Sequence, residues 1–137
     1  IGKTEKLQLA INQIGEKGCR AIGVNTTWEN LKGLYLSGDK IGDEGATAIV
    51  RNDTWINLEF LQLINNNIGK GAIELAGSTI WNKLKFLDLS ENNISDEGGI
   101  DFTRNTIWKQ LKRINLVRTE IRWKGALALG LGLKLKQ

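Results

Sequence analysis

The sequence has no histidine and a single cysteine, Cys19, which leaves little for a catalytic or metal-binding reading to work with. Without histidine the chain lacks both the commonest general base and the commonest metal ligand. One cysteine excludes an intramolecular disulfide framework and a cysteine-rich zinc site. No run of apolar residues approaches the roughly 18 that a membrane-spanning helix requires. The N-terminal IGKTEKLQLA has neither an apolar signal core nor an initiator methionine. The chain therefore reads as an excerpt or a processed product, and its compartment stays open between the cytoplasm, slightly favoured, and secretion after removal of a signal peptide. A phosphate-binding loop is also missing, because GLGLK at 130–134 has the wrong spacing for one.

What remains is the composition of a single soluble domain: 137 residues, 41% hydrophobic and 25% charged. The formal net charge of +4 is unevenly distributed. Residues 1–107 carry 11 Lys/Arg against 14 Asp/Glu, a net −3, whereas residues 108–137 carry 8 against the single Glu120, a net +7. The basic character is local to the C-terminal end.

A repeat organises everything else. Trp28, Trp55, Trp81 and Trp108 are 27, 26 and 27 residues apart, and the same spacing places Ile1 and Leu135 in their column. Paired aliphatic residues recur at Leu7/Leu9, Leu34/Leu36, Leu61/Leu63, Leu87/Leu89 and Ile114/Leu116. A column of Asn12, Asp39, Asn66, Asn92 and Thr119 follows, and glycines at 18, 45, 71, 98 and 125 close the motif. The units run approximately 1–27, 28–54, 55–80, 81–107 and 108–134, the third being one residue short.

Each aliphatic pair alternates with variable residues, the period of a strand with one buried face. After the glycine, stretches such as GATAIVRN and GAIELAGS predict short helices, with Ile22, Ile49, Leu75, Phe102 and Leu129 facing inward. Asp43/Glu44 and Asp96/Glu97 fall near helix N-termini, where the helix dipole favours negative charge. Asn25, Asn52, Ser78 and Asn105 end the helices.

The pattern L-x-x-L-x-L-x-x-N-x-I-G-x-x-G-A resembles leucine-rich repeats of the ribonuclease-inhibitor-like class, also found in NOD-like receptors and Ran GTPase-activating proteins. The resemblance covers essentially the whole chain. It implies an α/β solenoid, a horseshoe arc with one parallel strand per repeat on the concave face and one short helix on the convex face. It further implies that the Asn12, Asp39, Asn66 and Asn92 column bonds otherwise unpaired backbone groups in the turn after each strand. Thr119 is a weaker member, and with Arg122 in a column otherwise held by Gly15, Gly42, Gly69 and Ser95 it makes the fifth unit atypical.

The tryptophans Trp28, Trp55, Trp81 and Trp108 are core residues, expected to stack into a continuous aromatic spine. Trp123 breaks the column and is expected in a loop as an exposed indole. Cys19 aligns with Ala46, Ala72, Gly99 and Ala126, so it is a small buried residue rather than a reactive thiol. The sequons at Asn25, Asn52 and Asn93 permit glycosylation, but their recurrence follows from the repeat. Equivalence by repeat also argues against a catalytic role for Asp43, Glu44, Asp96 and Glu97, since paired catalytic carboxylates need unlike environments.

Partner information in a repeat array sits in columns that vary while facing solvent. These are Lys6, Gly33, Phe60, Phe86, Arg113; Gln8, Tyr35, Gln62, Asp88, Asn115; and Ala10, Ser37, Ile64, Ser90, Val117. Ile11, Gly38, Asn65, Glu91 and Arg118 flank them. Tyr35, Phe60, Ile64 and Phe86 form an apolar patch rimmed by Lys85, Asp88, Glu91 and Arg113, the composition of a protein-binding hot spot. A partner is thus expected on Tyr35, Phe60, Gln62, Ile64, Phe86, Asp88, Arg113 and Asn115. Five strands about 4.8 Å apart give a sheet of order 400 Å², against about 800 Å² per partner in a standard interface, so the chain supplies part of a binding surface.

The chain is therefore expected to be a non-enzymatic protein-interaction scaffold without cofactor or metal. Regulation of an enzyme such as a GTPase, by fold analogy, is the alternative. Binding of nucleic acid or an acidic surface through Lys109, Lys112, Arg113, Arg118, Arg122 and Lys124 is a further one, with nucleic acid disfavoured because no basic stripe runs through the earlier units. End-to-end contact through uncapped repeats is compatible with the array.

Overall fold

The computed structural model describes residues 3–137. Ile1, assigned to the tryptophan column by spacing, lies outside the described residues. Five strands alternate with five helices: β1 (Lys6–Gln8), α1 (Gly15–Gly23), β2 (Gly33–Tyr35), α2 (Gly42–Arg51), β3 (Phe60–Gln62), α3 (Gly71–Ala76), β4 (Phe86–Asp88), α4 (Asp96–Arg104), β5 (Arg113–Asn115) and α5 (Trp123–Gly132). The strands form one parallel sheet in chain order, and their alternation with the helices is the α/β solenoid arrangement that the repeat implies. Leu7 pairs with Leu34, Leu34 with Leu61, Leu61 with Leu87 and Leu87 with Ile114. The register thus follows the 27-, 27-, 26- and 27-residue offsets of the sequence, and the residue missing from the third unit is absorbed outside the sheet, where α3 is the shortest helix.

Alternation decides which side chains are buried. Leu34, Leu36, Leu61, Leu63, Leu87 and Leu89 are fully buried and share one core with Ile49, Leu75 and Phe102 from the helices. Ile22 and Leu129, in the same inward column, are only partly buried, because among the described residues α1 packs on α2 alone and α5 on α4 alone. Trp55 and Trp81 are fully buried and Trp108 nearly so, while Trp28 is half-buried. The expected continuous spine is not what forms. Trp28 stacks on Trp55 at 6.3 Å, but Trp108 meets Phe102 at 6.0 Å, and among the described residues Trp81 has no ring partner. Burial among aliphatic neighbours holds Trp81 in the core without ring-on-ring contact.

The asparagine column is a ladder in which Asp39, Asn66 and Asn92 each serve the unit before them. Asn66 Oδ1 accepts the Asp39 backbone N–H at 2.9 Å, and Asn92 Oδ1 accepts those of Asn66 at 2.9 Å and Ile68 at 3.0 Å. Their amide nitrogens donate backwards, Asn66 to the Leu36 carbonyl at 2.8 Å and Asn92 to the Leu63 carbonyl at 2.9 Å. Asn12 and Thr119 keep only the local half of this arrangement, donating to the Leu9 and Leu116 carbonyls. A second ladder ties the helix ends: Asn52 Nδ2 donates to the Gly23 and Asn25 carbonyls, and Asn105 Nδ2 to those of Ala76 and Ser78.

Asp39 is the imperfect rung. Its Oδ1 accepts the Asn12 N–H at 2.7 Å, but its fully buried Oδ2 has no hydrogen-bond partner where asparagine would carry a donor. An unsatisfied buried polar atom costs about 1–3 kcal/mol. Asp39→Asn is therefore expected to stabilise the fold by about 1–3 kcal/mol, read as a higher denaturation midpoint. A midpoint equal to or below that of the wild type would contradict this account of the rung.

The acidic residues also act across units. Asp43 Oδ1 accepts the Gly69 and Gly71 N–H groups at 2.8 and 2.7 Å, at the start of α3. Asp96 Oδ1 likewise accepts those of Arg122 and Gly125 at 2.7 and 2.8 Å, at the start of α5. Each carboxylate thus caps the helix of the following repeat in addition to sitting in the first turn of its own.

Candidate functional site

The face of the sheet opposite the helices carries the side chains that alternate with the buried leucines. Register puts Lys6, Gly33, Phe60, Phe86 and Arg113 in one row, and Gln8, Tyr35, Gln62, Asp88 and Asn115 in the next. Phe60 and Phe86 are direct partners on adjacent strands, about 4.8 Å apart along the row.

Tyr35 does not stay in its own row. A Cβ at Gly33 would lie 2.7 Å from Tyr35 Cε2 and 2.9 Å from its hydroxyl oxygen, so the ring lies folded over the space that glycine leaves empty. The result is a run of three aromatic side chains across β2, β3 and β4. Arg113 closes the run at β5, its guanidinium carbon 5.4 Å from the centre of the Phe86 ring. Along the border next to this row, Lys32 bridges Glu5 at 3.0 Å and Lys85 bridges Glu59 at 2.7 Å. Lys112 continues the border without an acidic partner among the described residues. These partly exposed pairs contribute little to stability, but they set the charge pattern that an approaching molecule meets.

One expected rim residue is not available. Asp88 is only 5% exposed, and its Oδ1 accepts both the Ser90 N–H at 3.0 Å and the Ser90 hydroxyl at 2.6 Å, while Oδ2 accepts the Asn115 amide at 3.0 Å. A carboxylate placed on the sheet surface by alternation is thus turned sideways by its neighbours, and it positions Ser90 and Asn115 instead of presenting charge. Gln62 and Ile64 are half-buried beside the aromatic row, and Asn115 also accepts the Val117 N–H at 3.1 Å.

The flanking column owes its character to backbone conformation. Ile11, Gly38, Asn65, Glu91 and Arg118 have φ of 63°, 73°, 54°, 57° and 52°, so each repeat turns here through the left-handed region. Glycine and asparagine suit that region, whereas the β-branched Ile11 is strained in it. Glu91 and Arg118 project from this turn and approach each other at 4.0 Å.

Cys19 is fully buried, with its thiol donating to the Gly45 carbonyl at 3.4 Å. Burial, with the Asp39 charge adding to it, pushes the thiol pKa from 9.0 to about 12. A thiol raised in the folded state ionises first in the unfolded chain, so its contribution to stability is intact below pH 9 and declines as pH rises from 9 to about 12. At pH 8 a disulfide exchange reagent is expected to label native Cys19 at least about 100-fold more slowly than the denatured chain. Equal rates would contradict the burial.

Trp123, expected in a loop, is instead the first residue of α5; it is 70% exposed, with Lys124 Nζ 5.6 Å from its ring centre. Of the sequons, Asn52 is buried with its amide nitrogen already donating to two carbonyls, while Asn93 is exposed. Among the described residues no cluster of three or more His, Cys, Asp or Glu could hold a metal ion, and no helix is long and apolar enough to cross a membrane.

A family model described as Leucine Rich repeat matches residues 29–50 and 82–103, which span β2 with most of α2 and β4 with most of α4. No curated protein matches the chain significantly.

Proposed function

The chain is a leucine-rich-repeat protein, a family whose domains generally mediate protein–protein interaction and are typically non-enzymatic scaffolds, and on that premise we propose that it binds a protein partner on the helix-free face of its sheet. The observation that carries the reading is the aromatic run of Tyr35, Phe60 and Phe86, closed by Arg113 over Phe86. These side chains are half-buried on the helix-free face and lie outside the hydrophobic core. Rigid aromatic groups next to an arginine, bordered by charged pairs, match the anchors and rim of a protein interface.

Gln62, Ile64 and Asn115 extend the surface beyond the run, and Asp88 supports it from beneath by holding Ser90 and Asn115. The row spans five strands about 4.8 Å apart, less than a standard interface needs, so the partner is expected to reach beyond it. Titration calorimetry of a purified partner against the wild-type chain, and against a chain lacking both phenylalanine rings, is the test. Lost binding with an unchanged fold supports the reading; unchanged affinity overturns it.

A further inference from the structure

We propose a second docking surface, separate from the sheet: the outward face of α5, which takes an acidic amphipathic helix of a partner protein. Trp123, Leu127 and Leu131 stand at i, i+4 and i+8 of α5, where a helix places them on one side. They are 70%, 55% and 82% exposed. The repeat does not account for them. In the same columns α2 has Asp43, Thr47 and Arg51, and α4 has Asp96, Ile100 and Arg104. Ala126 and Gly130 leave a shallow strip beside the stripe. The first and third units have Glu16, Arg20, Val24 and Gly69, Ile73, Gly77 there, so no other unit has an apolar side chain at all three positions, and a contiguous exposed apolar stripe marks a contact surface.

Charge selects the occupant. Arg122 and Lys124 stand at the start of α5, Lys134 and Lys136 follow its end, and residues 108–137 carry net +7. Apolar centre and cationic rim together suit a helix with a leucine stripe between glutamates or aspartates. A second copy docked α5 to α5 would bring two +7 segments together. A unit stacked as α5 stacks on α4 would find Trp123 in place of the carboxylate that Asp96 offers to Arg122 and Gly125.

The probe is a synthetic 14-residue amphipathic peptide with leucines at i, i+3, i+4 and i+7 and glutamates elsewhere, compared with its lysine counterpart. Expected are binding of the glutamate peptide alone and a blue shift of tryptophan emission that is absent in Trp123→Phe. Affinity should fall about tenfold in Leu127→Ser/Leu131→Ser with unchanged circular dichroism, and likewise on raising salt. Phe60→Ala/Phe86→Ala should leave this binding unchanged, which separates its failure from failure of the sheet-face reading. Failure of the glutamate peptide to bind, equal binding of the lysine peptide, or undiminished binding by the double serine variant would overturn the proposal. So would sedimentation as a dimer that dissociates in the double serine variant, which assigns the stripe to a second copy. Binding to phosphatidylserine vesicles but not to the peptide would overturn it too, assigning the stripe to a membrane surface.

Discussion

Trp81→Ala is expected to destabilise the fold by about 3–5 kcal/mol, the range for truncating a buried tryptophan, read as a lowered midpoint in guanidinium denaturation. Trp81 is fully buried in the central part of the array, in one core with Leu84, Leu87 and Leu75. Its removal leaves a cavity that neighbours fixed by their own repeat positions cannot readily fill. In a solenoid each unit is stabilised chiefly by its two neighbours, so a defect in the fourth unit weakens the junctions with both the third and the fifth. Trp81→Phe should cost much less, because it keeps most of the ring and removes an Nε1–H that has no hydrogen-bond partner. The half-buried Trp28 should tolerate alanine better than Trp81 does. A Trp81→Ala loss below about 1 kcal/mol, small for a buried tryptophan, would refute the core role.

Phe60→Ala combined with Phe86→Ala is expected to weaken partner binding by at least about 2 kcal/mol, roughly 30-fold in affinity, while the denaturation midpoint moves little. The two effects separate because both rings are only half-buried, on the helix-free face, and neither belongs to the hydrophobic core. Truncation also removes Phe86 from beneath the Arg113 guanidinium and Phe60 from beside Tyr35 in the row. Retained affinity in calorimetry would move the interface elsewhere on the molecule. Collapse of the fold would show that the rings are structural, and Tyr35→Ala would then probe the same row from β2.

The row itself was legible before any coordinates. The 27- and 26-residue offsets identify Phe60 and Phe86 as neighbours because a parallel sheet with one strand per repeat has its register imposed by the repeat. The same logic places the leucines inside and Gln62, Ile64, Arg113 and Asn115 outside. It cannot follow a side chain beyond its Cβ. Tyr35 leaves its column because Gly33 has no side chain, and Asp88 is held by the local Ser90 and by Asn115, a donor that comes within reach only when β4 and β5 pair.

Charge and aromatic columns show the same division. Acidic residues at helix starts were readable as dipole partners, but that Asp43 and Asp96 cap the helices of the following units depends on how adjacent units stack. Tryptophan recurrence pointed to the core, yet spacing along the chain says nothing of ring orientation, and among the described residues only Trp28 and Trp55 stack on each other.

By itself, then, the sequence determined the repeat, the parallel register, the buried leucines and the columns facing outward, because all of these depend on periodicity alone. The tertiary structure decided which outward side chains are free to meet a partner, which carboxylates are consumed as caps or braces, and that Trp123, Leu127 and Leu131 share an uncovered face. Those outcomes depend on rotamers and neighbours one repeat away, and periodicity does not encode them.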